Sequence, residues 1–246
     1  MNVLVQSDPR AAARTVAAVI AAAASDEPSL VLGLPTGRTP IPVYEELAKR
    51  HAQQGLDLSR ARAFNLDELA LPGDHPASFR TFMRRHAWAQ IGLDPERCDI
   101  PDGAADPDLE CARYDSALAA AGGVDLVFLG VGADGHVAYN LPGPPRASTH
   151  IVELSADLAE SLEVPANWRP LRAITMGLGS LLSARHLVML AIGDAKAKAV
   201  RALLEGPQTS EWPCSLLRGH SRFDVVLDLA AAGGEWPAAK RIMPRG

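Results

Sequence analysis

A chain of 246 residues with 48% hydrophobic and 22% charged residues has ordinary globular composition and length enough for one α/β unit with a sizeable core. The formal net charge of -5, without a Lys/Arg cluster to track phosphates, argues against a nucleic-acid footprint. Cys98, Cys111 and Cys214 are odd in number and lack metal-ligand spacing, so neither a disulfide framework nor a metal site is indicated and a reducing compartment fits.

The first residues, Met1 to Gln6, carry no basic n-region followed by an apolar stretch. The Ala-rich run from Ala11 to Ala24 is interrupted by Arg14 and Thr15 and is too short to cross a bilayer. It reads as a helix. The expectation is a cytoplasmic protein with no membrane contact and a small-molecule partner; the oligomeric state is left open. A strand follows near Leu30 to Leu34, then a helix over Pro40 to Gln54, a strand at Arg62 to Asn65 and a helix over Ser78 to Gln90. Asp106 as N-cap and Pro107 at the first position start a helix running to Ala121. Strands are predicted near Leu126 to Leu129, Ala173 to Met176, Leu187 to Ile192 and Asp224 to Leu227, with a helix over Ala195 to Leu204. Such alternation predicts a doubly wound α/β fold, Rossmann-like, with a mostly parallel sheet and helices on both faces, as a single domain over 1–246. Between residues 141 and 170 five prolines interrupt any periodicity, and a loop-rich lid is predicted there.

Chemistry-bearing residues cluster at the predicted strand ends. After the first of these strands comes Leu32 to Pro40, with Thr36, Gly37, Arg38 and Thr39 between strand and helix. Backbone N–H groups, two hydroxyls and a guanidinium there suit an anion such as a phosphate. The same residues also suit a plain tight turn with Thr39 as N-cap, and both readings can hold. No Walker or dinucleotide glycine pattern is present, which disfavours nucleotides.

Asp67 and Glu68 follow the next strand. Paired acids are commonly solvated loop residues, but a carboxylate at a strand end can act as a general base. After Leu126 to Leu129 the chain reads Gly130 to Asn140, placing Asp134 and His136 two residues apart in a glycine-rich turn. This is either a polar connection or the edge of a crevice. Lys196 lies at the start of the last predicted helix, where the helix dipole offers a cation nothing, so an anionic ligand is the alternative to a bland surface lysine.

Taken in order, LGLPTGRTP, FNLDELALPGDHPASFRTFM, GVGADGHVAYNLPG and GDAKAKA resemble the glucosamine-6-phosphate deaminase/isomerase family, over about Ser29 to Leu227. The related 6-phosphogluconolactonases share a looser version. The resemblance implies cofactor-free, metal-free conversion of an amino sugar 6-phosphate to ketose phosphate and ammonia. It implies Asp67 as the base moving a proton between C2 and C1, His136 with Asp134 as the ring-opening pair, and the Thr36 to Thr39 turn with Lys196 as the phosphate site. Glu68, Gly135 and Asn140 are further candidate substrate contacts.

The chain departs from that pattern in three places. Leu141 stands where deaminases carry a Glu of the ring-opening relay, which is closer to the lactonase pattern. No arginine lies in Asp157 to Pro165, where one is expected on the phosphate, and Arg172 is the first candidate to replace it, ahead of Arg38 and Arg169. Basic residues of an acetylated-sugar allosteric site are not evident in His150 to Glu153, so no activation by N-acetylglucosamine 6-phosphate is predicted. A sugar-phosphate lactonase is therefore the alternative, and a non-catalytic sugar-phosphate sensor a more remote one.

Overall fold

The computed structural model describes residues 1–162 and 164–234. Its strands are β1 (Asn2–Gln6), β2 (Val31–Leu34), β3 (Arg62–Asn65), β4 (Asp67–Leu69), β5 (Cys98–Asp99), β6 (Leu126–Leu129), β7 (His150–Glu153), β8 (Arg172–Thr175), β9 (His186–Ala191) and β10 (Phe223–Asp228). Its α-helices are α1 (Pro9–Asp26), α2 (Ile41–Gln54), α3 (Phe79–His86), α4 (Pro107–Ala120), α5 (Ala156–Ser161), α6 (Leu178–Leu182) and α7 (Ala197–Leu204).

Seven strands form one sheet in the order β1-β10-β9-β6-β2-β3-β5, every pair parallel. Parallel strands must be covered on both faces, and the sequence provides for this by alternation. Leu32, Leu34, Phe128, Val188 and Leu190 pack on one side with Val16, Ile20, Tyr44 and Leu47 of α1 and α2. Val31, Val127, Leu129, Leu187 and Met189 pack on the other with Tyr114, Leu181 and Leu203 of α4, α6 and α7. In α1 the buried residues Ala12, Ala13, Val16, Ala17, Ile20 and Ala24 recur at helical spacing. Asp8 caps that helix, accepting a 2.8 Å bond from the Ala11 N–H.

From β2 the chain moves outward to β3 and β5, then returns past β2 to β6 and on to β9 and β10. The direction of winding thus reverses between β2 and β6. A crevice opens at such a switch point, at the carboxyl ends of the strands.

A second, three-stranded antiparallel sheet, β4-β8-β7, lies beside that edge, with Asp67 opposite Thr175 and Thr175 opposite His150. The strand predicted at Ala173 to Met176 therefore belongs to this small sheet and not to the parallel one. Strands β1, β4, β5 and β7 were not legible in the pattern, three of them being four residues or fewer. The helix predicted over Ser78 to Gln90 ends at His86, because Ala87 leaves helical geometry at φ -131°, ψ -89°, and a 3₁₀ turn, Trp88–Ile91, follows. Likewise Asp194–Lys196 is a 3₁₀ turn and α7 begins only at Ala197. The predicted lid, 141–170, carries strand β7 and helix α5 as well as loop. Residue 163 of that span and residues 235–246 of the predicted domain lie outside the described residues. Among the described residues no helix is long and apolar enough to cross a membrane.

Candidate active site

Strands β9, β6, β2 and β3 are consecutive neighbours in the sheet, so the segments following them meet at one edge. Leading out of β2, Pro35 is held by the buried Tyr44 hydroxyl, which donates a 2.6 Å bond to its carbonyl. Gly37 then takes φ +100°, a left-handed conformation that side-chain-bearing residues rarely adopt. Thr39 is not the N-cap of α2. Pro40 occupies that position, with φ -76°, and no side chain caps the helix. Neither threonine hydroxyl is spent on that helix start.

Beyond β3 the chain enters β4, in which successive side chains point to opposite faces. Asp67 faces the crevice and receives a hydrogen bond from the Thr36 hydroxyl. It is 6% exposed. Burial, reinforced by the negative Glu68 next to it and only partly offset by Thr36, raises its carboxyl from 3.8 to about 7. Glu68 points the other way and does not line the crevice. Its carboxylate accepts bonds from the Leu69, Phe79 and Arg80 N–H groups and the Ser78 hydroxyl, at 2.7 to 2.9 Å. Its expected role in contacting substrate is thus not what the geometry gives it.

After β6 the glycine-rich turn folds back on itself, the Gly132 N–H donating to the His136 carbonyl at 2.9 Å. A Cβ at Gly132 would stand 2.2 Å from His136 Nδ1 and 2.5 Å from Asp134 Oδ1, so only glycine leaves room for that pair. His136 Nδ1 lies 2.7 Å from Asp134 Oδ1, close but bent away from a linear hydrogen bond. The imidazole, through this contact and its charge, holds the Asp134 carboxyl down to about 2 despite partial burial. Gly135 takes φ +85° beneath Trp212, and a Cβ there would meet the indole at 2.7 Å; it shapes the turn without lining the cavity.

The small sheet ties this turn to Asp67. The Tyr139 N–H donates to Thr175 Oγ1 at 3.0 Å, and Thr175 is the cross-strand partner of Asp67. Asn140 Nδ2 donates to the Val137 and Met176 carbonyls at 3.0 and 2.9 Å. Asn140 is accordingly a brace, set away from the crevice wall. Just before Tyr139, Ala138 adopts φ +50°, unfavourable for a residue with a Cβ, and lines the crevice.

The crevice is a cavity of about 920 Å³. Of the residues singled out in the sequence it brings together Thr36, Gly37, Arg38, Thr39, Asp67, Asp134, His136 and Lys196. Burial lowers the Lys196 ammonium from its usual value, opposed by the attraction of Asp134. Arg172 does not reach the cavity. It is exposed at the far end of β8 from Thr175, a span of about 10 Å at strand rise. Phe79 and the wall formed by Ser155, Asp157, Leu158, Ser161 and Leu162 were missed in the sequence. The signal was there for the wall: Ser155 caps α5, and Asp157 sits in its first turn. Leu141 lines the cavity, and among the described residues its carboxylates are Asp67, Asp134 and Asp157. Neither Glu68 nor Glu153 takes the place left at Leu141.

A doubly wound α/β protein with a cationic turn, a buried carboxylate and a carboxylate–imidazole pair at its switch point belongs to the class that binds and works on small anionic ligands in such crevices. More particularly, residues 7–226 match the family described as glucosamine-6-phosphate isomerases/6-phosphogluconolactonase, and the chain belongs to it. Glucosamine-6-phosphate deaminase of Pseudarthrobacter chlorophenolicus is 43% identical over 239 residues, covering 94% of this chain and 92% of that protein. The Bacillus velezensis protein of the same name is 38% identical, covering 96% and 100%. The solved structure of a monomeric glucosamine-6-phosphate deaminase superposes with a TM-score of 0.91 at 34% identity, covering 96% and 100%. A 6-phosphogluconolactonase from Thermotoga maritima shares the fold, with a TM-score of 0.75 at 20% identity, covering 92% and 99%.

Proposed function

We propose that this chain is an amino sugar 6-phosphate deaminase/isomerase, converting glucosamine 6-phosphate or an epimer, with one water, to ketose 6-phosphate and ammonia. The observation that carries the reading is Asp67, a carboxylate buried in the same cavity as the His136–Asp134 pair and raised to about 7. A carbon acid needs a base of this kind, poised near neutral pH and shielded from water.

In this reading the phosphate sits on the Thr36 to Thr39 turn with Lys196, hydroxyls and backbone N–H groups sharing its charge. His136 takes the proton of the anomeric hydroxyl and delivers it to the ring oxygen as the sugar opens, with Asp134 orienting the imidazole. Asp67 then takes the C2 proton and delivers it to C1. The enolamine becomes a ketimine, water adds at C2, and ammonia leaves. The three cysteines are free, which fits a cytoplasmic setting.

A second reading, sugar-phosphate lactone hydrolysis with His136 activating water, is favoured by one observation: Leu141 presents an apolar surface on the cavity wall. The test is Asp67→Asn assayed for ammonia release from glucosamine 6-phosphate, with 6-phosphogluconolactone hydrolysis in parallel. The deaminase reading requires ammonia from the native protein and its loss in the variant. Lactone hydrolysis without ammonia from the native protein would support the second reading.

A further inference from the structure

Glu68 is a carboxylate with no exposed surface and, among the described residues, no cation against it. Such a group is costly to bury unless every lone pair is used. Here Oε1 accepts from the Leu69 N–H at 2.8 Å and the Phe79 N–H at 2.7 Å, and Oε2 from the Ser78 hydroxyl at 2.8 Å and the Arg80 N–H at 2.9 Å. Three of those donors belong to the start of α3, so Glu68 fastens that helix to β4. Phe79, the first residue of α3, lines the cavity and stacks on Tyr139, with ring centroids 6.1 Å apart and planes at 14°. Tyr139 in turn stacks on His136 at 6.2 Å and 27°.

We infer that Glu68, which touches no substrate, is a positioning residue: it clamps α3 so that Phe79 and Tyr139 hold the His136 ring opposite Asp67. Its negative charge, one residue from Asp67, does a second job. It adds to burial, the larger cause, in opposing ionisation of Asp67. Burial raises the Glu68 carboxyl above its usual value, and the four donors, each of which stabilises the charged form, oppose that rise. The other titratable groups against Asp67 are the Tyr44, Tyr114 and Tyr139 phenols, all raised by burial and neutral at working pH, with Asp134, His136 and Lys196 elsewhere around the cavity. Arg80 turns its guanidinium to the Ile100 carbonyl at 3.0 Å.

The inference rests on the proposed role of Asp67 as base, and the variants separate the two. Glu68→Gln keeps the two backbone contacts accepted by Oε1 and reverses a third, the amide nitrogen donating to the Ser78 hydroxyl, while the Arg80 N–H retains Ser78 Oγ at 3.2 Å. The acid limb of kcat/KM for the deamination should move down by about one pH unit, as removal of a neighbouring like charge predicts, with inhibition by inorganic phosphate unchanged. Glu68→Asp keeps the charge but is one methylene too short to span to α3. Its acid limb should stay in place while kcat falls about tenfold through misplacement of the His136 ring. An unmoved limb in Glu68→Gln, or native kcat in Glu68→Asp, overturns the inference. Should Glu68→Gln not fold, the Glu68→Asp result decides alone. Undiminished turnover in Asp67→Asn would instead strike the proposed base, whatever Glu68 does.

Discussion

Replacing Asp67 by Asn should destroy activity and stabilise the protein, and both effects come from the same burial. A carboxyl that ordinarily titrates at 3.8 and here titrates at about 7 binds its proton more tightly in the folded chain than in the unfolded one. Folding is then opposed by deprotonation: stability is full below about 4, falls as pH rises toward 7, and levels off above it. Each pH unit in that window is worth about 1.4 kcal/mol, so the whole penalty is on the order of 4 kcal/mol. Asparagine is nearly the same size, still accepts from the Thr36 hydroxyl and carries no charge to desolvate. Urea unfolding of both proteins at pH 4 and pH 8 measures the difference. We expect near-equal stability at pH 4 and a more stable variant at pH 8, by up to about 4 kcal/mol. An advantage of equal size at both pH values, or none at pH 8, would refute the assignment of a raised carboxyl to Asp67.

Other substitutions probe the remaining parts of the cavity. Gly132→Ala drives a methyl into the His136 ring and Asp134, and turnover should fall by about a hundredfold, the scale of a misplaced acid–base group; steady-state kinetics checks it. Lys196→Met should weaken inhibition by inorganic phosphate about tenfold or more, as loss of a charge-assisted contact implies, while Arg172→Met leaves it within twofold. The acid limb of kcat/KM should lie near pH 7, activity rising as Asp67 ionises, and a limb below pH 5 would contradict the burial argument.

The parallel sheet and most of the cavity were legible because a strand, a turn with special residues and a helix recur in order, and parallel strands deliver their carboxyl ends to one edge. Thr36, Asp67, Asp134, His136 and Lys196 meet for that reason. The errors have equally physical origins. Asp67 and Glu68 were paired as site acids, but they sit in a strand, whose period of two sends one into the cavity and the other into the clamp on α3. Arg172 was the candidate to replace the missing phosphate arginine, yet it is exposed at the far end of β8 from Thr175, and the strand carries it out of reach. Gly135 and Asn140 belong to the turn's internal bracing, against Trp212 and Met176, contacts between distant segments that no local pattern encodes. The α5 wall escaped notice because five prolines nearby masked a short capped helix.

The central claim is that Asp67, His136 and the β2 turn form a cavity that opens and deaminates an amino sugar 6-phosphate although Leu141 adds no carboxylate. Ammonia release from glucosamine 6-phosphate by the purified protein, with 6-phosphogluconolactone hydrolysis measured alongside, tests it most directly. The account predicts stoichiometric ammonia and ketose 6-phosphate, with the lactone hydrolysed no faster than in buffer. Rapid lactone hydrolysis without ammonia would contradict it and make His136 a base acting on water.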